Sequence, residues 1–198
     1  MPLIPPLDEH EFAPDLRERV QFFKGPLGVV PNSVRTMARR PRIAAAFTEL
    51  NQAVMECGGA VTPEFKRLLG YVTSFVSGCR YCQAHTILAS ERFGASEARL
   101  ADAWNHAESP HFTAAEKAAL AFAHAAAAVP NAVTDEIGAE LRRHWSDDDI
   151  VEIMGVVALF GYLNRWNDSM GTALEDLPTE VAARRVAHTG WTPGKHGR

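Results

Sequence analysis

The sequence SGCRYCQAHT, residues 77–86, places two thiols and an imidazole within about two helical turns, just after an apolar segment. Its flanks predict a helix that begins at about Cys79 and ends before Gly94. Because an α-helix turns about 100° per residue, Cys82 lies about 60° from Cys79 on one side and about 60° from His85 on the other. Cys82 can therefore reach either a second thiol or a proton acceptor, and the stretch has the composition of a dithiol redox centre.

The chemistry of such a centre depends on the thiolate, which is the nucleophile, whereas a free thiol with a pKa near ~8.5 is mostly protonated at neutral pH. The positive end of a helix would favour ionisation of Cys79, and an adjacent imidazole would favour Cys82. We expect the neighbouring His85 to have the larger effect and to favour ionisation of Cys82, because the imidazole also supplies a proton path. Once one sulfur becomes a sulfenic acid, a thiol one turn away can capture it as a disulfide.

Two other interpretations of the cysteine motif stay open. The spacing C-x-x-C-x-x-H supplies three possible metal ligands, although structural zinc normally needs four. The two cysteines could also be inert buried side chains. The third cysteine, Cys57, stands on an earlier segment and is expected to be a small core residue.

Length and charge exclude several classes of function. A chain of 198 residues forms one domain or a tight pair of subdomains. Its 20 basic and 24 acidic residues give no basic field, so nucleic acid is not an expected partner. The start MPLIPP lacks the features of a secretory signal, and the longest apolar run, residues 153–163, is about half of a membrane span. We therefore expect a soluble cytoplasmic protein without a membrane partner, in which a C-x-x-C is typically catalytic.

Hydrophobic periodicity and capping signals predict an all-α fold without a convincing strand pattern. Thr62 precedes a proline, Thr113 and Glu116 have the spacing of a capping box, and Ser146 precedes the most apolar helix. Residues 191–198 are predicted to form a mobile tail. The predicted helices cover about 15–23, 32–39, 43–57, 62–76, 79–93, 96–104, 113–128, 134–145 and 146–167.

The cysteine stretch, the apolar helix before it and the later segment ALFGYLNRWND, residues 158–168, together carry a family resemblance. The chain resembles the alkyl hydroperoxidase D-like (AhpD-like) branch of the carboxymuconolactone decarboxylase superfamily, in particular its peroxidase-related members. The resemblance covers residues 30–175 and implies an AhpD-like helical bundle. It leaves residues 1–29 as an N-terminal arm with a short helix and residues 176–198 as a C-terminal arm.

The resemblance also implies roles for the motif residues. Cys82 would attack a peroxide, Cys79 would resolve it as a disulfide, and His85 would belong to a proton relay with a glutamate on the preceding helix. Twelve positions before Cys79, where the family has that glutamate, this chain has Arg67, so Glu64 is the nearest carboxylate. The family's histidine position, four residues after the second cysteine, is also occupied differently, by a threonine.

Six further side chains are candidates for lining the site. The guanidinium of Arg67, if it lies near the dithiol, would favour the thiolate. The alternative is that Arg67 lies on a solvated helix face. The polar groups that interrupt the most apolar helix could line the site or form a structural hydrogen-bond network. These candidates are Arg67, Tyr81, Asn164, Arg165, Trp166 and Asn167.

The resemblance implies a dithiol peroxidase that reduces hydroperoxides in antioxidant defence. It needs no bound cofactor, and an external thiol or lipoyl-type reductant would recycle it. A carboxymuconolactone decarboxylase-like enzyme is one alternative, disfavoured because that branch carries glutamate where Cys82 stands. A non-catalytic, redox-sensing oligomer is the other. The apolar helices and the resemblance also predict a homo-oligomer, first a dimer or a multiple of it and second a trimer.

Overall fold

A computed structural model of the chain describes residues 2–56 and 58–197, so that Cys57, the predicted core residue, lies outside the described residues. The predicted all-α fold is confirmed, because the described ranges contain helices and no β-strand. Within them, no helix combines the length and the apolar character that crossing a bilayer requires. The α-helices are α1 Pro14–Arg19, α2 Lys24–Leu27, α3 Asn32–Met37, α4 Pro41–Met55, α5 Pro63–Val76, α6 Arg80–Arg92, α7 Glu97–Asp102, α8 Ala114–Ala127, α9 Asp135–His144, α10 Asp147–Met170 and α11 Asp176–Arg185.

Local capping sets the start of the helices that carry the core. The Thr62 side chain accepts the backbone N–H of Phe65 at the start of α5. Thr113 at α8 and Ser146 at α10 each form a complete capping box. These three predicted starts are confirmed, since each side chain occupies a backbone N–H that the first helical turn leaves unpaired. Helix α3 begins at Asn32, where the predicted helix 32–39 begins, and it has no side-chain cap.

The core is built around the antiparallel pair α5 and α6, which make the most extensive helix contact of the described chain. Helices α8 and α10 pack on α5, and α11 packs on α6. Gly70 lets α10 approach α5 closely, because a Cβ at this position would lie 2.5 Å from the ring of Phe160. The dithiol at the start of α6 is thereby enclosed by helices on several sides.

A buried lysine joins three of these helices. The Lys66 side chain is fully buried, and its Nζ donates to the carbonyl oxygens of Val54 and Glu56 at the end of α4. Nζ also lies 2.9 Å from Oε1 of Glu152 on α10. The charge is therefore compensated by groups that α4 and α10 supply, which fixes both helices against α5.

The C-terminal residues are packed, so the prediction of a mobile tail is wrong for residues 191–197. The Trp191 indole N–H donates to the carbonyl of Arg80 at 3.3 Å, and His196 is buried beside Tyr81. The backbone N–H of Leu174 donates to the carbonyl of His196 at 2.9 Å. An indole and a buried imidazole that find partners in the core hold this segment against the start of α6.

Candidate active site

The two thiols of the C-x-x-C motif lie in contact at the start of α6. Cys79 is the N-cap residue, and its Sγ accepts the backbone N–H of Cys82 at 3.4 Å. The two Sγ atoms are 3.1 Å apart, and both cysteines are free thiols. A disulfide bond of about 2.05 Å needs an approach of only about 1 Å from this separation. The helix start therefore holds the two sulfurs close enough to form a disulfide after a small movement.

The two sulfurs differ in their access to the interior space of the protein. Cys82 lines a cavity, whereas Cys79 is fully buried and does not line it. A small molecule that enters the cavity can therefore meet the Cys82 sulfur first. Helix-terminus reasoning favoured Cys79 for ionisation, and the N-cap position of its sulfur agrees with that argument, but access favours Cys82 for attack.

The surroundings of Cys82 set its acidity. Burial raises the pKa of the Cys82 thiol well above its usual range, and the contact with Cys79 raises the pKa further. The Asn167 side-chain amide donates to the Cys82 sulfur at 3.4 Å and acts in the opposite direction. The Cys82 thiol is therefore held in its protonated form, and an amide donor stands beside its sulfur.

His85 does not point a ring nitrogen at the dithiol. Its Nδ1 lies 3.0 Å from the carbonyl oxygen of Tyr81, and its Nε2 lies 3.0 Å from Oε2 of Glu175. Both ring nitrogens therefore face oxygen atoms of neighbouring groups and not the two sulfurs. No choice of ring nitrogen brings His85 within 4.8 Å of both sulfurs, so the three side chains of the motif do not converge as a metal-ligand cluster.

Glu175 is the centre of this polar network. Its Oε1 accepts the backbone N–H of Asn32 at 2.5 Å and the hydroxyl of Tyr81 at 3.0 Å. The Tyr81 hydroxyl in turn accepts the backbone N–H of Ser33 at 3.2 Å. Burial raises the pKa of Glu175, but the charge and hydrogen bond of His85 and the N–H of Asn32 outweigh it, so the pKa is lowered. The carboxylate is thus kept ionised inside the protein.

Sequence reasoning missed Glu175, which comes from the segment between α10 and α11. The candidate was instead Glu64, whose two carboxylate oxygens lie 2.9 and 3.2 Å from the guanidinium of Arg99. Arg99 also binds Glu116, so Glu64 belongs to an ion-pair network near α7 and α8. The structure does not bring Glu64 to the dithiol. No spacing along the chain relates residue 175 to residue 85, so only the folded chain shows the pairing.

The polar groups near the end of α10 point to different places. Asn167 reaches the Cys82 sulfur, whereas the Asn164 amide faces the carbonyl of Thr73 at 3.5 Å. The indole N–H of Trp166 donates to the hydroxyl of Thr36 at 3.2 Å. Arg165 is exposed on the far side of α10. Of these four sequence candidates, the structure brings only Asn167 to the dithiol.

Tyr81 and Arg67, the remaining candidates, both line the cavity that Cys82 faces. The Arg67 Nη1 donates to the carbonyl of Pro63 at 2.8 Å, and its guanidinium lies over the ring of Phe93. The cavity measures about 80 Å³, several times the ~10–15 Å³ that one water needs. Most of its wall is apolar, and part of that wall comes from the N-terminal arm: Phe22, Phe23, Pro26 and Leu27.

Comparison with known proteins identifies a matching family and solved structures with a similar fold. A family model of the carboxymuconolactone decarboxylase family matches residues 41–125. The debrominase Bmp8 in its apo form is 30% identical, with 90% of this chain and 95% of that chain covered and a TM-score of 0.83. A cysteine-to-alanine variant of Bmp8 in complex with 2,3,4-tribromopyrrole is 29% identical, with 92% and 96% covered and a TM-score of 0.85.

Two further relatives extend the comparison. The uncharacterized protein YnjA of Escherichia coli K12 is 25% identical over 183 residues, which are 91% of this chain and 96% of YnjA. The AhpD-core, peroxidase-related protein of Ralstonia eutropha JMP134 is 23% identical, covers 91% and 94% of the two chains, and has a TM-score of 0.78. The likeness to the Ralstonia eutropha protein shows a shared fold.

Proposed function

This chain belongs to the AhpD-like branch of the carboxymuconolactone decarboxylase superfamily, and on that basis we propose that it is a dithiol oxidoreductase that reduces organic hydroperoxides. One observation carries the proposal. The Cys79 and Cys82 sulfurs are in contact, and Cys82 alone of the two faces the cavity. One thiol can therefore attack a small molecule while the other waits behind it to form the disulfide.

The proposed cycle begins with attack of the Cys82 sulfur on the terminal oxygen of the hydroperoxide. The O–O bond breaks, a sulfenic acid forms on Cys82, and the thiol proton ends on the leaving alkoxide as an alcohol. Cys79 then attacks the Cys82 sulfur, which releases water and forms the disulfide. An external thiol or lipoyl-type dithiol reduces this disulfide by exchange and is itself oxidised to a disulfide. We expect this recycling in the reducing cytoplasm, and the protein's own chemistry uses no bound cofactor.

Three side chains would assist the first step. The Asn167 amide stabilises the negative charge that develops on the Cys82 sulfur. His85 also lines the cavity, and we expect the thiol proton to reach the alkoxide through its imidazole. Glu175 holds the imidazole in place. Because the pKa of Cys82 is raised, the thiol is expected to ionise only as it reacts, so the assistance of a proton relay matters.

The apolar wall of the cavity favours an organic hydroperoxide over hydrogen peroxide. Phe23, Phe47 and Phe160 lie in this wall. The transfer of an alkyl or aryl group from water to such an apolar surface is favourable. We expect cumene hydroperoxide to be reduced with a higher kcat/KM than hydrogen peroxide.

Turnover of cumene hydroperoxide with dihydrolipoamide tests the proposal in the wild-type protein and in the two single variants. Cys82→Ser should abolish turnover. Cys79→Ser should consume about one equivalent of peroxide and leave a sulfenic acid on Cys82, detectable by trapping and mass spectrometry. Equal rates in wild type and Cys82→Ser would remove the peroxidase proposal. A sulfenic acid found only on Cys79 would reverse the roles of the two thiols.

Reductive dehalogenation is a second candidate function. The likeness to the debrominase Bmp8 at 30% identity favours it, together with the aromatic wall of the cavity, which suits a small halogenated ring. Replacing bromine by hydrogen consumes two electrons, which the dithiol supplies as it becomes a disulfide, and bromide leaves. Release of bromide from 2,3,4-tribromopyrrole in the presence of dihydrolipoamide, dependent on Cys82, would support this candidate. Absence of bromide release alongside peroxide turnover would reject it.

The remaining alternatives correspond to other outcomes of the same experiments. A carboxymuconolactone decarboxylase-like enzyme would act on a lactone without loss of free thiols. A redox-sensing oligomer would form the Cys79–Cys82 disulfide once, without turnover, and would change its assembly on oxidation. Titration of free thiols and light scattering before and after oxidation separate the two.

A further inference from the structure

The Asn167 side chain has a buried polar atom that its contact with the dithiol does not use. Its Nδ2 donates to the Cys82 sulfur at 3.4 Å, whereas its Oδ1 has no hydrogen-bond partner among the residues that the structure describes. The side chain is only 1% exposed, and it lines the cavity that Cys82 faces. A buried acceptor without a partner costs about 1–3 kcal/mol, so Oδ1 suits a donor that a ligand brings into the cavity.

Two hydroxyl groups of the same cavity wall already have protein partners. The Thr86 hydroxyl donates to the backbone carbonyl of Cys82 at 2.9 Å, and the Tyr81 hydroxyl donates to Glu175 at 3.0 Å. Both hydroxyl protons are therefore committed to acceptors within the protein. The Asn167 Oδ1 differs from them, because it can accept a proton from a molecule that lies beside the sulfur.

The position of Asn167 is fixed by the way in which α10 ends. Its backbone carbonyl accepts the N–H of Gly171, the C-cap residue in the left-handed conformation, and the N–H of Thr172 at 3.2 Å. These bonds close the last turn of the helix, as a glycine C-cap typically does. The amide is therefore held beside Cys82 by a regular element, which is the arrangement that places a binding group precisely.

The geometry of an amide relates its two hydrogen bonds to each other. The nitrogen and oxygen of one amide group are about 2.2 Å apart, as its bond lengths require. A hydroxyl that donates to the oxygen lies about 2.8 Å from it. Two bonds that leave the amide side by side therefore bring this hydroxyl oxygen toward the sulfur, near the ~3–3.5 Å at which two reacting atoms are aligned for attack.

We propose that Asn167 selects substrates that carry a hydrogen-bond donor on the attacked atom: its Oδ1 accepts the O–H of a hydroperoxide while its Nδ2 holds the Cys82 sulfur. This inference rests on the proposed dithiol chemistry and narrows its substrates to hydroperoxides, with dialkyl peroxides excluded. During attack the S–O bond forms and the O–O bond breaks, so that sulfur is oxidised and the peroxide is reduced. The thiol proton goes to the alkoxide, and the hydroxyl of the new sulfenic acid keeps its bond to Oδ1.

Equilibrium binding tests the inference without any redox step. Cumyl alcohol carries an O–H donor, whereas cumyl methyl ether keeps the ring and the oxygen but lacks the donor. Titration of both into the wild-type protein, followed by protein NMR, should show that the alcohol binds about three- to tenfold more tightly, the ratio that one hydrogen bond supplies. Equal affinities of the wild-type protein for the two compounds would overturn the inference.

Two electrophiles separate the roles of the two amide atoms in the reaction itself. Methyl methanethiosulfonate has no N–H or O–H donor, so Asn167→Leu should slow its reaction with Cys82 only through the loss of Nδ2. The same variant should slow the reaction with cumene hydroperoxide by a further three- to tenfold, about the worth of the lost Oδ1 bond. An equal decrease for both electrophiles would contradict a role of Oδ1.

Asn164→Leu is the matched control, because Asn164 lies one turn earlier on α10 and its amide faces the carbonyl of Thr73. It should leave the ratio of the two rates and the preference for the alcohol as in the wild type. A preference for the alcohol that survives in Asn167→Leu would also count against the inference. Thermal unfolding shows whether each variant is folded, and the wild-type titration decides the question even if one is not.

The proposed activity and the proposed selection fail separately. If no hydroperoxide is turned over but the wild-type protein prefers cumyl alcohol and Asn167→Leu does not, the proposed activity is wrong and the recognition of a donor by Asn167 stands. If turnover depends on Cys82 but the alcohol and the ether bind equally, only the role of Asn167 Oδ1 is wrong.

Discussion

The reactivity of the Cys82 sulfur depends on a balance between burial and one amide donor. Burial and the neighbouring Cys79 raise the pKa of the thiol, and the Asn167 amide lowers it. Asn164 provides a comparison one turn earlier on the same helix, because its amide faces the Thr73 carbonyl instead of the dithiol.

Asn167→Ala should therefore slow the reaction of Cys82 with iodoacetamide at pH 7 by about tenfold, the worth of one hydrogen bond to a charged group. In the wild type the rate should keep rising as the pH increases through the alkaline range, because the thiol pKa is raised. Asn164→Ala should leave the rate near that of the wild type. If both variants slow the reaction equally, a general loss of packing and not the amide donor explains the effect.

Glu175 links stability to pH through its lowered pKa. A carboxyl group with a lowered pKa in the folded state stabilises the protein above its ordinary pKa of 4.5. This stabilisation disappears as the pH falls through the folded-state value, because both states then bind the proton.

Glu175→Gln should lower the free energy of unfolding by about 3 kcal/mol at pH 7, since it removes a buried carboxylate that accepts hydrogen bonds from Asn32 and Tyr81. The difference from the wild type should shrink as the pH is lowered toward 3. Urea unfolding at several pH values measures it, with Glu180→Gln as the exposed control on α11. A difference that stays constant with pH would show that Glu175 is not held as a carboxylate.

At the scale of helices, the contact between α5 and α10 depends on the absence of a side chain at Gly70. A methyl group there would meet the Phe160 ring at 2.5 Å, a distance that forces a displacement. Phe160 also lines the cavity, so the packing of two helices and the shape of the candidate site are coupled at this point.

Gly70→Ala should destabilise the protein by about 1–3 kcal/mol, the usual effect of overpacking. Gly161→Ala is the matched control on α10, because nothing lies within 4 Å of an added Cβ at that position. It should be neutral or stabilising by up to about 1 kcal/mol, since alanine favours helix more than glycine does. Thermal unfolding of both variants measures the effect. Equal stability of the two would mean that the Phe160 ring moves aside without strain.

Helix α11 has sequence signals that are too weak to predict it as a helix. Its N-cap residue, Glu175, makes no side-chain capping bond, and Pro178 stands within the helix. The sequence therefore predicts a C-terminal arm here and no helix. Its buried residues Val181 and Ala182 lie on a helix that packs against α6, so contacts with the rest of the fold stabilise it.

At the scale of the whole molecule, both terminal arms contribute to the site. Phe22 and Phe23 of the N-terminal arm line the cavity. In the C-terminal arm, His196 holds the segment before Glu175 through the carbonyl of Thr172 and the N–H of Leu174. Neither arm is therefore a passive extension of the helical core.

The assembly of the molecule remains a prediction. Exposed apolar side chains such as Val151 on α10 and Leu50 on α4, 72% and 50% exposed, favour association with a second copy. Light scattering at micromolar concentration should give a multiple of the chain mass of 21.7 kDa, first a dimer or a multiple of it and then a trimer. A mass of one chain under these conditions would contradict the prediction.

The sequence by itself determined the helical class, the capped starts of α5, α8 and α10, and the dithiol at the start of α6. These features are local, because caps, helical periodicity and the C-x-x-C spacing act over a few residues. The tertiary structure alone decided that Glu175 pairs with His85, that Asn167 contacts Cys82, and that Glu64 binds Arg99 instead of the dithiol. Glu175 and His85 are 90 positions apart, and their separation in space depends on how α6, α10 and α11 pack together, which no spacing within one element encodes.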